Sequence, residues 1–236
     1  MLVDTHCHIH ENGYPLDIGD TITRAHHAGI SHLICVGTSE QSSKEAVAFA
    51  LQHEQVFAAI GVHPHDTKDG YGLVRELASA EHVVAVGEIG LDYFYTHSPR
   101  EVQIAALEAQ LQIARDHDLP VIFHVREAFD DFWPIFRNFS QLRGVLHSFT
   151  DSVQNMEKAV SNGLFIGVNG ISTFARDKQT MFDAVPLEKM LLETDAPFLT
   201  PVPYRGKVNE PAYVRVVAEY HASRRDISLE EIAAAT

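Results

Sequence analysis

Eight short apolar runs punctuate the chain, and each is followed by a polar stretch whose apolar residues recur at helical spacing. The runs are MLVDTH (1–6), HLICVG (32–37), FAAIGVH (57–63), VVAVGEIG (83–90), PVIFHV (120–125), GVLHSF (144–149), LFIGVNG (164–170) and KMLLETD (189–195). They are rich in Val, Ile, Leu and Phe and hardly alternate with polar residues, the pattern of parallel strands covered on both faces. Residues 41–53, 73–80, 99–117, 127–138, 152–162, 177–184 and 209–223 between and after them carry helix patterns. The longest, PREVQIAALEAQLQIARDHD, opens on Pro, whose fixed φ suits a first helical turn.

This alternation, repeated eight times, predicts an α/β protein: a single (β/α)8 TIM barrel over residues 1–236, with its site at the C-terminal face of the strands. A length of 236 residues suits that fold, which typically needs about 250. A doubly wound open sheet is the alternative, but it often opens with a glycine-rich phosphate turn, and the first turn here, HCHIHENG, is not one. The closing LEEIAAAT reads as a helix interrupted near its middle.

Charge narrows the partners. A formal charge of −14 argues against tracking along polyanions through a broad basic surface. It leaves a phosphate substrate open, because bound cations reverse the sign locally. The two cysteines, Cys7 and Cys35, lie in apolar runs and suggest no disulfide framework. The opening MLVDTHCH has neither the basic nor the apolar region of a signal peptide, and no run approaches the roughly 20 apolar residues of a membrane span. A cytoplasmic protein without membrane or obligate protein partner is expected.

The candidate chemistry sits at the strand ends. His6 and His8 close the first run, Glu88 lies in the fourth, His124 in the fifth, His147 in the sixth and Asp195 at the end of the eighth. In a barrel, strand C-termini carry the active site. Residues two apart on a strand point the same way, about 6.6–6.8 Å apart, so His6 and His8 can converge on one ion. A carboxylate inside an apolar strand, as at Glu88, must be paired or coordinated. Imidazoles and carboxylates are ligands for divalent ions such as Mg, Mn or Zn. Six such groups exceed one tetrahedral ion with an open position and suit two ions about 3.5–4 Å apart, with Glu88 as the natural bridge. His10 falls beyond the strand end and reads as a loop residue. His63 is placed to contact substrate, and His65 is expected to face solvent.

The motifs DTHCHIH, IGVHPHD, VGEIGLDYFY, IARDHDLPVIFHVREA, GVLHSFT and ETDAPFLTPVPYRGKVNEP resemble, in order and spacing, the TatD family of metal-dependent hydrolases within the amidohydrolase-like barrels. The resemblance spans essentially the whole chain, although the family pattern continues past residue 236 to finish the last helix. It implies His6, His8 and Asp195 as ligands of a first ion, His124 and His147 as ligands of a second, and Glu88 as the ligand they share. It also implies that Asp195 accepts a proton from the attacking water, which makes Asp195 and Glu88 the catalytic pair, and that the substrate is DNA.

Arg126, two residues beyond His124, has a planar fork suited to phosphate, with an ion pair to Glu127 or Asp130 as the alternative role. Arg205 lies on the loop after the eighth strand, where barrels often hold phosphate, and Lys207 and Asn209 share that loop. Asp92 and Glu193 are candidates to orient the ligand histidines. Tyr93, Phe94 and Tyr95 either stack on bases or pack their loop. The leading expectation is a two-metal phosphodiesterase acting on DNA ends or short single strands, with the 3′–5′ exonuclease mode that the family resemblance implies. A water activated by two ions attacks a carboxylic ester or amide equally well, so that class is the enzyme alternative. A metal-binding scaffold without turnover ranks below both, because Asp195 is present.

Overall fold

The computed structural model describes residues 1–95 and 97–236. In chain order the elements are β1 (Leu2–Cys7), α1 (Ile18–His27), β2 (Ile30–Val36), α2 (Glu40–Ala50), β3 (Val56–Ile60), α3 (Leu73–Leu77), β4 (Val83–Asp92), α4 (Arg100–Asp116), β5 (Val121–Arg126), α5 (Phe129–Arg137), β6 (Gly144–Leu146), α6 (Val153–Ser161), β7 (Phe165–Val168), α7 (Gln179–Ala184), β8 (Met190–Leu192), α8 (Val214–Arg225) and α9 (Leu229–Ala235). The strands form one sheet in the order β1 to β8, and an isolated parallel bridge joins Cys7 to Ala196 beyond β8. Each of the eight apolar runs therefore overlaps a strand, and the fold is the (β/α)8 class. No helix among the described residues is long and apolar enough to cross a membrane.

Helix boundaries follow local chemistry. Asp17 caps α1 by accepting from the amide of Asp20, Ser39 caps α2 through Ser42, and Ser228 with Glu231 forms a reciprocal capping box at α9. The helix α1 lies outside the helical stretches named from the sequence. Its apolar residues are few, and its cap Asp17 sits in a Pro- and Gly-rich approach.

The residues fall into two compact units interleaved in sequence. One comprises Met1–Ile34, His147–Ser161 and Phe165–Thr236; the other comprises Cys35–Leu146 and Asn162–Leu164. In the first, β7 pairs with β8 in parallel, Ile166 opposite Met190 and Val168 opposite Leu192, and these side chains are fully or almost fully buried. In the second, β3 pairs with β4, β4 with β5 and β5 with β6, all in parallel. Its core includes Phe123 of β5 packed edge-to-face on Phe132 and Phe136 of α5, with ring centroids 5.1 and 5.8 Å apart. All three are fully or almost fully buried. Such burial stabilises by about 1.5–3 kcal/mol per side chain.

Two irregularities in β4 concern function. Its register against β5 shifts between Val86 and Ile89, the stretch that carries Glu88. Two residues on, Gly90 lies opposite His124, and a Cβ built there would fall 1.7 Å from the His124 carbonyl oxygen. Only glycine lets the two strands approach this closely.

Candidate metal centre

The first unit assembles His6, His8 and Asp195. His6 is the fifth residue of β1, His8 is one residue beyond the strand, and Asp195 is three residues past β8. Main-chain bonds fix the two strand ends: the amide of Asp195 donates to the carbonyl of His6 at 2.8 Å, and that of His8 to the carbonyl of Ala196 at 2.8 Å. The side chains then converge. His6 Nε2 lies 3.1 Å from His8 Nε2, and Asp195 Oδ1 lies 3.6 Å from the former and 3.4 Å from the latter. A tetrahedral ion with bonds of about 2.0–2.1 Å separates neighbouring ligands by about 3.3 Å. The three donors are thus spaced as the ligands of one ion are, and their chemistry fits a divalent cation. Burial opposes the charge on Asp195, but the hydrogen bond to His8 and the nearby His147 and His6 outweigh it and hold the carboxyl below its ordinary range.

His147, one residue past β6, joins this unit with its ring stacked on His6 at 3.9 Å between centroids. Its Nδ1 lies 3.3 Å from Oε1 of the buried Glu193, which also accepts from the amide of Ser148 at 2.7 Å and from Asn169 Nδ2 at 3.2 Å. A carboxylate on one imidazole nitrogen leaves the other as the ligand atom. Close packing holds Glu193 there: a Cβ on Gly167 would meet its Oε2 at 2.6 Å.

The sequence reading missed the braces beneath these groups. Asp4 is fully buried in β1, and its Oδ1 accepts from the amides of His6 at 3.3 Å and Thr194 at 2.9 Å. Its Oδ2 accepts from the Thr194 hydroxyl at 2.6 Å, and burial pushes the Asp4 carboxyl up to about 8. Asn209 is also fully buried, donating through Nδ2 to the carbonyls of Thr194 and Phe198. It therefore ties down the loop that carries Asp195 and does not face substrate. The signal was present at Asp4, an acidic residue inside an apolar strand.

The second unit assembles Glu88, His124 and His63 with Asp92 and His65. His124 sits between two carboxylates, its Nδ1 2.7 Å from Glu88 Oε1 and its Nε2 3.0 Å from Asp92 Oδ2. Burial works against ionisation of Asp92, but hydrogen bonds from His124 and from the Tyr95 amide hold it well below the usual carboxylate range. An ionised Asp92 accepts a hydrogen bond from the Nε2–H, so the unprotonated Nδ1 faces Glu88 as the candidate ligand atom, the usual arrangement for a metal-bound histidine.

His63 lies in the loop three residues past β3, with Nε2 3.7 Å from Glu88 Oε1. It stands within ligand distance of Glu88 and His124. Its Nδ1, however, accepts the amide of His65 at 3.2 Å. Burial and the neighbouring His124 push its pKa down to about 3, so the ring is neutral and its proton is on Nε2. That nitrogen is a hydrogen-bond donor, which suits a substrate oxygen better than an ion. His65, expected to face solvent, turns inward instead, its Nε2 3.0 Å from Asp92 Oδ2, because the ionised Asp92 attracts a second imidazole. His10 lies in the loop after β1 but is buried, its ring 6.4 Å from that of His8.

Of the expected anion-binding residues, Arg126 ends β5 exposed, its guanidinium 3.8 Å over the Phe94 ring rather than turned to Glu127 or Asp130. Arg205 donates to the Thr200 carbonyl at 2.9 Å and lies 4.0 Å over the Phe174 ring. Both guanidiniums keep further N–H groups beyond these contacts.

Comparison with known proteins decides the family. Residues 3–236 match the family described as TatD related DNase. The chain belongs to the TatD family and is a metal-dependent hydrolase. It is 38% identical over 246 residues to the Escherichia coli K12 protein named uncharacterized metal-dependent hydrolase YcfH, covering all of this chain and 92% of that one. It is 36% identical over 234 residues to the Erwinia amylovora protein named 3′-5′ ssDNA/RNA exonuclease TatD, covering 93% and 90%. Among solved structures, that of the TatD homologue YjjV from Escherichia coli K12 superposes with a TM-score of 0.91 at 32% identity, covering 99% of this chain and 94% of that one. The TatD fold is thus the (β/α)8 barrel expected from the alternating runs.

Proposed function

We propose that this TatD-family hydrolase is a two-ion phosphodiesterase that acts on DNA ends or short single strands. The observation that carries the ion site is the spacing of His6 Nε2, His8 Nε2 and Asp195 Oδ1 at 3.1–3.6 Å, which matches the ligands of one cation. A second ion is assigned to His124 and His147, with Glu88 as the ligand shared by both. The facing Nδ1 of His124 and Oε1 of Glu88, and the Glu193 carboxylate behind His147, support that assignment. Bound Mg²⁺, Mn²⁺ or Zn²⁺ ions would lower the pKa of a water and stabilise charge on the phosphoryl oxygens.

The protein's own groups supply the rest. Asp195, kept ionised, takes the proton of the attacking water. Neutral His63 donates its Nε2–H to a substrate oxygen. Arg126 and Arg205 orient the phosphodiester through planar, permanently charged forks. DNA as substrate is supported by the exonuclease name of the Erwinia relative.

The test follows a 5′-labelled single-stranded oligonucleotide with metal-stripped protein, with and without Mg²⁺ or Mn²⁺, beside Glu88→Ala, and counts bound metal. Metal-dependent shortening from the 3′ end that disappears in Glu88→Ala, with two metal equivalents in the wild type, is the expected result. Two equivalents bound without cleavage would remove DNA and turn the search to small esters and amides. Binding of a single equivalent would remove the second ion.

A further inference from the structure

Phe94 and Tyr95 follow β4 and are 48% and 44% exposed, adjacent in sequence and in space, with rings edge-to-face at 4.6 Å. Their exposed halves form one contiguous apolar patch, the kind of surface feature that marks interaction sites when it is extended. Tyr93 is different: its hydroxyl donates to Asp131 at 2.6 Å and Arg100 lies 4.9 Å over its ring, so it packs the loop. Arg126 lies 3.8 Å over the Phe94 ring and 5.1 Å from the Tyr95 ring, which places a permanent cation against the exposed pair.

Asp92 ties this pair to the donor cluster. Its Oδ1 accepts the amides of Phe94 at 2.9 Å and Tyr95 at 3.1 Å, while its Oδ2 faces His124 and His65, each at 3.0 Å. Asp92 is also the register partner of Arg126. One buried carboxylate therefore sets a candidate ligand histidine, the turn that presents the two rings and the strand position of the arginine. The Tyr95 ring also packs on His65 and His97, at 5.5 and 5.7 Å between centroids, so the pair is held in place while about half of each ring stays exposed.

We propose that Phe94 and Tyr95 form a stacking subsite for one unpaired base beside the scissile phosphate, with Arg126 contacting the flanking phosphate and Asp92 acting as the positioning residue that fixes the subsite relative to His124. This rests on the nucleic-acid reading above. The base must be unpaired, because in a duplex its faces are covered by its neighbours. Base identity matters little, because every base offers a π-face. The cation matters because the protein as a whole carries a formal charge of −14, so phosphate must be attracted locally.

The experiment measures kcat/KM on a short single-stranded oligonucleotide carrying bases, or abasic sugars, on both sides of the scissile phosphate. The wild type is compared with the double variant Phe94→Ala/Tyr95→Ala and with Phe94→Trp, which keeps a stacking face. Quenching of 2-aminopurine in the same oligonucleotide by metal-free protein gives a second readout independent of turnover. The wild type is expected to prefer the base-bearing strand by about tenfold or more. In the double variant that preference falls to near one and the quenching disappears, while Phe94→Trp retains both. A wild type that cleaves both strands equally, or a double variant that keeps the preference and the quenching, overturns the subsite. A wild type that cleaves neither strand overturns the nucleic-acid reading itself, a result distinguishable from the first two.

Discussion

The amide of Asp195 donates to the carbonyl of His6 at 2.8 Å, so the first and last candidate ligands in the chain are joined through main chain and not through the groups that would hold an ion. Asp195→Asn therefore keeps the main-chain link while it removes the proton acceptor and one charged ligand atom. Metal-dependent activity is expected to fall by about 10²–10⁴-fold, with less metal retained after dialysis and, in metal-free buffer, a melting temperature lowered by loss of the carboxylate's interactions with His8, His147 and His6. Full activity in the variant would show that another group collects the proton.

Glu193→Gln tests how His147 is oriented. Glu193 Oε1 lies 3.3 Å from His147 Nδ1 and accepts the Ser148 amide at 2.7 Å. The amide side chain keeps the shape but not the charge behind the imidazole. Metal affinity is expected to weaken by about 10–100-fold, the usual loss when such a partner is removed. Competitive titration with a chromophoric chelator measures it, and an unchanged affinity would place His147 outside the ligand set.

Most of the donor set was legible because titratable groups in apolar strands are anomalies that period and composition expose. His6, Glu88 and His124 stand inside β1, β4 and β5, where a packing role would demand an apolar side chain. The orientation of rings was not legible. His65 pointed outward by sequence position, yet an ionised Asp92 draws it in, and that carboxylate acquires its place only when β4 pairs with β5. Asn209 read as a substrate residue from its basic loop. Its burial against the Thr194 carbonyl depends on how the loop folds back, which no local pattern encodes. The tautomer of His63 follows from one backbone amide and was equally invisible.

Gly90→Ala tests the close approach of β4 and β5. The added methyl would fall 1.7 Å from the His124 carbonyl oxygen, at a backbone φ of +157° that side chains rarely adopt. Overpacking and strain together are expected to cost at least about 2–3 kcal/mol, a fall of about 5–10 °C in melting temperature for a chain of this size. The loss should include metal binding, because His124 moves with the strand. Calorimetry of metal-free protein separates the two effects, and a variant that melts like the wild type would show that the strands can part without cost.

His221, which is not among the candidate ligands, provides a pH test. It is buried in α8, its Nε2 2.9 Å from the Ser172 hydroxyl, and burial together with Arg225 pushes its pKa down to about 4 from an ordinary 6.5. The unfolded chain then takes up a proton near pH 6.5 that the folded chain refuses until about pH 4. Stability from this residue is fully present above pH 6.5, declines as pH falls from 6.5 to 4, and levels off below that. The whole loss amounts to about 3 kcal/mol. Chemical denaturation of metal-free wild type and His221→Gln at pH 7.5, 6, 5 and 4.5 isolates the contribution. The wild type should lose stability more steeply than the variant across that window, by about 1 kcal/mol per pH unit. Parallel curves would mean that the ring is protonated in the folded protein and that the Ser172 contact, not burial, governs it.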